Sequence, residues 1–340
     1  MRILYAIQGT GNGHISRARD IIPELAKYGS VHALISGIQA DVELNYPIFY
    51  RFNGLSFIFG KKGGVDIWKT YLKSNFKKLR EEIKKAPVEK YDLVINDFEP
   101  VTAWACRIKK IPCISLSHQC AIMNESSPKP PERDMLGMTI LSYYAPTNIH
   151  LGFHFQAYDH NIFTPVIRKE IRDIYPSERG HYTVYLPSFD DGKLIKCFKK
   201  FKNVKWEIFS KHNKKELKEE NIHIRPIQNE TFISSMGSSR GVLCGAGFET
   251  PAEALFLKKK LMVIPMKTQY EQLCNAEALS RMGVPVLKSL KEKNHQMILN
   301  WLSGDKIVQT DYQDNTAKVI QELMHVFELH ESKDLTIATH

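Results

Sequence analysis

The sequence predicts an α/β protein made of two successive units, each a parallel sheet wound with helices. Three observations carry this expectation. Short β-branched or aromatic runs alternate with helical segments in both halves, which is how parallel strands joined by crossover helices read. A glycine turn follows a strand candidate in each half, GTGNGH at 9–14 and GAG at 245–247. A chain of 340 residues also exceeds one ordinary domain and suits two of roughly 150 residues each.

In the first half the expected strands are 2–7 (RILYAI), 31–35 (VHALI), 48–52 (IFYRF), 92–96 (DLVIN) and 112–116 (PCISL), most of them bounded by turn residues. Residues 66–85 (DIWKTYLKSNFKKLREEIKK) place Trp68, Leu72, Phe76, Leu79 and Ile83 on one face, with Asp66 as N-cap and a lysine-rich opposite face. That pattern predicts a solvated surface helix packed on its sheet. The glycine-rich basic loop FIFGKKGG just before it leaves peripheral membrane contact through residues 57–85 as the sharper alternative. Residues 124–134 (NESSPKPPERD) are polar and proline-rich, and a mobile loop is expected there.

In the second half strands are expected at 182–187, 204–209, 222–226, 241–244, 261–265 and 284–287, and helices at 191–201, 229–237, 248–258 and 270–282. The seam falls near 160–182, a charged and proline-punctuated stretch, giving expected domains 1–165 and 166–315. In the remaining 316–340, apolar residues at 319, 320, 323, 324 and 327 make one amphipathic closing helix.

Composition narrows the function classes. Hydrophobic residues at 43% and charged residues at 25% exclude a disordered or fibrous chain. No apolar run reaches the roughly 18 residues of a membrane span, and the N-terminus MRILYAIQGT turns into glycines too early for a signal peptide, so a soluble cytoplasmic protein is expected. The six cysteines form no C-x-x-C pair and read as reduced core thiols. A net charge of +10 calls for an anionic partner, but no nucleic-acid module is recognisable.

The first glycine turn is not a dinucleotide fingerprint. His14 stands where the third glycine would be, and the second strand ends LISGIQ without a carboxylate to read a ribose. Gly9, Gly11 and Gly13 instead present His14 at a helix entrance on the carboxyl edge of the sheet, where open α/β sheets bind ligands. An imidazole there can act as general base on a hydroxyl, and Asp97, immediately after strand 92–96, lies on the same edge to orient it. Read separately, His14 is a helix-terminal hydrogen bonder and Asp97 a cap for the helix near 101–108; read together they form a base dyad. His118, after the next strand, competes for that role, contacts an acceptor or satisfies a loop.

The second turn, Gly245, Ala246 and Gly247, runs into a helix starting near Phe248 and Glu249, whose free N–H groups suit a diphosphate. Glu253 lies about two turns into that helix and can accept both hydroxyls of a ribose. After the next strand, Glu271, Gln272 and Asn275 offer acceptors and amides to sugar hydroxyls, or else simply open a helix.

GTGNGHISRA followed by CGAGFETPAEAL and VIPMKTQYEQLCNAEAL resembles the nucleotide-sugar glycosyltransferases of the GT-B fold. The pattern is similar to UDP-glycosyltransferases and to the peptidoglycan N-acetylglucosaminyltransferase acting on lipid-linked muramyl pentapeptide. The resemblance implies two Rossmann-like domains facing a cleft, with the C-terminal helix packing back toward the N-terminal domain. It implies an acceptor in the first domain and a nucleotide sugar, UDP-linked, in the second. His14 would be the base and Asp97 its partner; Gly11, Gly13, Gly245, Ala246, Gly247, Phe248 and Glu249 would belong to the nucleotide-sugar site; Glu253 would hold the ribose. Glu271, Gln272 and Asn275 would hold the donor sugar, Ser188 would touch the diphosphate, and Ile227 with its neighbours would read the uracil edge. The chain departs from the family where Leu243, Cys244 and Gly245 replace a common H-C-G, and where PSFDDG replaces a glycine-rich run.

The expected reaction is inverting transfer to an acceptor hydroxyl, on a small molecule or a lipid-linked glycan. No cofactor is expected, and no metal, because no D-x-D pair follows a strand. A sugar-nucleotide 2-epimerase of the same fold and a non-catalytic nucleotide-sugar sensor are the rival readings.

Overall fold

The computed structural model describes residues 1–37, 43–55, 76–132 and 134–338. In the first half the elements are β1 (Arg2–Gln8), α1 (Asn12–Leu25), β2 (Ser30–Ser36), β3 (Ile48–Phe52), α2 (Phe76–Lys85), β4 (Leu93–Asp97), α3 (Pro100–Lys109), β5 (Ile114–Ser117), α4 (His118–Met123), α5 (Met135–Tyr144), β6 (Ile149–Phe153) and β7 (Ile162–Phe163). After α6 (Lys169–Arg172) the second half holds β8 (His181–Tyr185), α7 (Asp191–Phe198), β9 (Lys205–Ser210), β10 (Leu217–Glu219), β11 (Ile222–Pro226), α8 (Asn229–Ser238), β12 (Gly241–Gly245), α9 (Glu249–Phe256), β13 (Lys260–Ile264), α10 (Tyr270–Arg281), α11 (His295–Ser303) and α12 (Thr316–Ala338).

These form two Rossmann-like lobes. The first sheet runs β3-β2-β1-β4-β5-β6-β7, parallel throughout. The second runs β10-β11-β9-β8-β12-β13, parallel except for the β10–β11 edge pair. Strand order reverses between β1 and β4 in one sheet and between β8 and β12 in the other, and such switch points open a crevice at the carboxyl ends of the strands. Both glycine turns sit at these switches.

The run ILYAI is apolar without alternation because both faces of β1 are covered. Ile3, Tyr5 and Ile7 enter the cluster under α1, while Leu4 and Ala6 enter the one beneath α2 and α3. In α12, Val319, Ile320, Leu323 and Met324 join the same cluster as Ala18, Ile21, Ile22 and Leu25 of α1, so the closing helix does pack back on the first lobe. All six cysteines are free, and all but the half-buried Cys120 are buried.

Several expectations need correction. Residues 284–287 form no sheet strand; they meet β13 through one bridge, Val263 with Val286, after Gly283 at φ 91° and with Pro285 lacking a donor. Of the loop 124–134, residues 124–129 are pinned rather than free: Ser127 Oγ donates to Ala121 O at 2.6 Å, and Lys129 Nζ donates to Asn124 O and Ser127 O. β6, β7 and β10 were absent from the expected set. Of the segment 57–85, residues 57–75 lie outside the described residues; over 76–85, Leu79 and Ile83 pack inward and the lysines face solvent. Among the described residues no helix is long and apolar enough to cross a membrane.

The lobes also meet away from the crevice. Tyr312 Oη donates to Phe155 O at 2.9 Å, and the Lys169 amide donates to Asp20 Oδ1 at 3.3 Å. Burial pushes the Asp20 carboxyl up to about 6 against the opposing effect of the Lys169 amide.

Two outcomes are expected. Leu323→Ala empties a fully buried site and lowers the denaturant-unfolding free energy by about 2–5 kcal/mol. Because the Asp20 value is raised on folding, its contribution is complete below about pH 4, where the unfolded carboxyl titrates, and is lost as pH rises through about 6. The melting temperature should fall across that window, and less so in Asp20→Asn; equal slopes in both proteins would contradict the assignment.

Candidate active site

The first turn leaves β1 after Gln8 and enters α1 through Gly11, which N-caps the helix at φ 98° without a side-chain cap. A residue with a side chain rarely adopts that backbone. Gly13 is needed for a different reason: a Cβ there would stand 2.8 Å from Cγ of Glu249 in the other lobe. His14 follows in the first turn of α1, and β4 pairs Asp97 beside Ile7 of β1. His14 Nδ1 and Asp97 Oδ1 are 2.8 Å apart, with Asp97 fully buried and the imidazole 12% exposed. Asp97 accepts, so Nδ1 carries the proton and the Nε2 lone pair stays free.

Asp97 is free for this because it does not cap the next helix. Glu99 does, accepting from the amides of Val101 and Thr102 at 2.7 Å. Phe98, between them, is held at φ 56°, a strained conformation for an aromatic residue. Its ring stacks on His14 at 6.5 Å and on Tyr144 at 4.7 Å.

A residue that sequence reasoning missed completes the cluster. Arg17, one helical turn after His14, is 1% exposed and donates through Nη2 to both oxygens of Asp97 at 2.8 Å and through Nη1 to Glu249 Oε1 at 2.5 Å. The available signal was the spacing, since residues three apart share a helix face. Burial opposes ionisation of Asp97, but Arg17 and His14 outweigh it and hold the carboxyl below its ordinary value. One cation serves two carboxylates, so at Glu249 burial prevails over Arg17 and pushes the carboxyl up to about 7.

In the second lobe β12 delivers Gly245, Ala246 and Gly247 to the start of α9, where Phe248 provides no side-chain cap. A Cβ on Gly247 or Gly11 would meet nothing within 4 Å, so both turns border open space. Glu249 lies in the first turn of α9 with its side chain 21% exposed. Glu253 is buried, and its Oε1 accepts from Arg168 Nε at 2.5 Å, so one of the oxygens expected on a ribose is already engaged. Ser188 is half-buried in the turn before α7, and Ile227, half-buried after β11, packs on the core.

The α10 residues are tied more closely than expected. Gln272 Oε1 accepts from the Met266 amide at 3.0 Å, which fits the helix-opening alternative. Asn275 is fully buried, donates to Ala246 O and meets His118 Nε2 at 2.7 Å. Glu271 Oε2 accepts from Gln119 Nε2 at 3.1 Å. His118 is therefore not an open acceptor contact: Nδ1 bonds Phe153 O at 2.7 Å, the ring stacks on Phe248 at 3.8 Å, and burial pushes its imidazole below the ordinary value.

The two turns thus face each other, but the expected clear gap is only partly there. Open space fronts Gly11 and Gly247, while the Arg17–Glu249, His118–Asn275 and Gln119–Glu271 pairs close the flanks. A cavity of about 490 Å³ lies in the first lobe, lined by Phe98, Ser117, Gln119, Leu141, Tyr143 and Asn161 among others. Phe98 belongs to its lining, and the Phe98 ring centre lies 6.5 Å from that of His14. Among the described residues no group of three His, Cys, Asp or Glu side chains is placed to hold a metal ion.

Comparison with known proteins gives this geometry a family. The chain resembles solved structures of the spinosyn forosaminyltransferase SpnP (14% identity, 96% of this chain and 95% of that one, TM-score 0.56) and MurG of Acinetobacter baumannii (14%, 97% and 99%, 0.53). It also resembles Phytolacca americana UGT2 (12%, 95% and 89%, 0.56). At these identities the likeness is one of fold, and that fold is GT-B. No curated protein sequence matches. The family model described as glycosyl transferase family 1 matches residues 1–304, and the chain therefore belongs to that family as a GT-B glycosyltransferase that moves a sugar from a nucleotide sugar.

Proposed function

We propose that the chain transfers a sugar from a uridine diphosphate sugar to an acceptor hydroxyl, with inversion at the anomeric carbon and without a metal. The observation that carries this is the His14–Asp97 pair, 2.8 Å apart on the carboxyl edge of one sheet and opposite the uncapped start of α9 in the other lobe.

The acceptor hydroxyl gives its proton to His14 Nε2 as its oxygen attacks the anomeric carbon, and UDP departs from the opposite face of the sugar. Asp97 fixes the Nδ1–H tautomer and stabilises the imidazolium that forms. Charge developing on the diphosphate meets the free amides at the start of α9 over the open space at Gly247. The structure of Phytolacca americana UGT2 is a complex with UDP-2fluoro-glucose and pterostilbene, which supports a UDP-linked donor here. The cavity beside Phe98 suits the acceptor, since it opens one ring away from His14 and reaches Gln119, the partner of Glu271. Peripheral membrane contact and a lipid-linked acceptor rest on the exposed Lys77, Lys78, Lys84 and Lys85 of α2, which suit an anionic surface. The same reading places the domain boundary near residue 165.

A thermal-shift screen of nucleotide sugars followed by turnover assays tests this reading; stabilisation by UDP-sugars and acceptor-dependent release of UDP are expected, and isomerisation of the donor without an acceptor would replace transfer with epimerisation. His14→Ala should lower kcat by roughly 10²–10⁴-fold while calorimetry shows little change in donor affinity. Chelation should leave the rate unchanged, and the product's anomeric configuration, read by NMR, should be opposite to the donor's.

A further inference from the structure

We infer that Arg17 is a positioning residue of the transfer reaction, acting through Asp97 on the His14 base and through Glu249 on the donor lobe. The inference rests on the reading of His14 as the base. The geometry is specific: Nη2 reaches both Asp97 oxygens at 2.8 Å and lies 3.3 Å from His14 Nδ1, while Nη1 reaches Glu249 at 2.5 Å. A guanidinium presents a fixed planar fork, so the carboxylate of β4 and the carboxylate at the start of α9 are held at a set separation only when both lobes are in place. The base is oriented when the donor lobe is docked.

The fork also borders the base itself, since Nη2 lies 3.3 Å from His14 Nδ1 while holding both oxygens of its Asp97 partner. The other groups facing this cluster are the Tyr5 hydroxyl of β1, Glu249 and Glu253 of α9, Arg168 before α6, and His118 of α4. None of these places a second cation against Asp97 within hydrogen-bonding distance, so the hold on both Asp97 oxygens belongs to Arg17. Arg17 Nε is buried without a partner, so its two terminal nitrogens make all of its bonds. The site is built for bridging rather than for salt-bridge number.

The test uses Arg17→Gln, Arg17→Lys and Glu249→Gln in the full chain, with two readouts: the NMR resonance of the His14 Nδ1 proton, which reports its bond to Asp97 and needs no turnover, and the steady-state constants. In Arg17→Gln that resonance should shift, with kcat reduced by up to about 100-fold at similar donor affinity. Arg17→Lys keeps the cation but loses the fork, so kcat should fall without rescue at similar donor affinity, and Glu249→Gln should do likewise. If Arg17→Gln lowers only the melting temperature and leaves the resonance and kcat in place, Arg17 is a structural ion pair and the inference falls. Should Arg17→Gln not fold, undiminished kcat in Arg17→Lys overturns it equally. Absence of sugar transfer by the unaltered protein would refute the proposed function, and the His14 resonance in Arg17→Gln would still decide the positioning.

Discussion

A guanidinium taken out of water is tolerated only where carboxylates surround it, and that constraint organises this protein. Arg17 is almost wholly buried between Asp97 of the first lobe and Glu249 of the second. Moving either carboxylate away would leave an uncompensated buried charge, which is far more costly than the pair is stabilising. The relative placement of β4 and α9 is therefore fixed by chemistry rather than by shape alone. His14 inherits its position from the same arrangement, because the Asp97 oxygen that holds Arg17 also holds the imidazole.

Backbone features supply what the side chains need. The loop from Asp97 to Pro100 carries three separate duties: Asp97 orients the base, Phe98 packs its ring beside it, and Glu99 caps α3. Three successive side chains can point in such different directions only because Phe98 takes a left-handed backbone, which costs roughly 1–2 kcal/mol. The packing of Phe98 against Tyr144 and the four hydrogen bonds into the Glu99 carboxylate, from the Val101 amide, the Thr102 amide and hydroxyl and the Ser36 hydroxyl, hold it there.

Much of this was legible in the sequence. Parallel strands buried on both faces read as apolar runs, and the helices between them read by period; the pair of glycine turns located both switch points. His14 and Asp97 could be matched because the one enters the helix after β1 and the other ends β4, strands that prove to be neighbours. β7 and β10, at two and three residues, are too short to show a period, whereas β6 does alternate Ile149, Leu151 and Phe153 and was readable. Arg17 was hidden among the many cations of a chain with 47 Lys and Arg, since its spacing from His14 shows a shared helix face but not the burial that a distant element imposes. Asn275 and Gln272 were recognisable as polar residues of interest, but their bonds to His118 and Met266 depend on long-range packing that no motif records.

The two sides of the interlobe contact differ in kind. Near α12 the lobes share one apolar cluster that includes residues of both sheets, so that side holds together by burial. At the crevice polar pairs join the lobes beside apolar contacts: Phe248 stacks on His118 and packs on Phe155, and a small group gathers around Ile122, Tyr270 and Cys274. Buried polar groups must keep partners, and here the carboxylates and amides of α9 and α10 find them in Arg17, Gln119 and His118 of the opposite lobe. The Arg17–Glu249 pair, which would leave a buried charge if broken, therefore ties the lobes together beside the glycine turns, where Gly11 and Gly247 border open space.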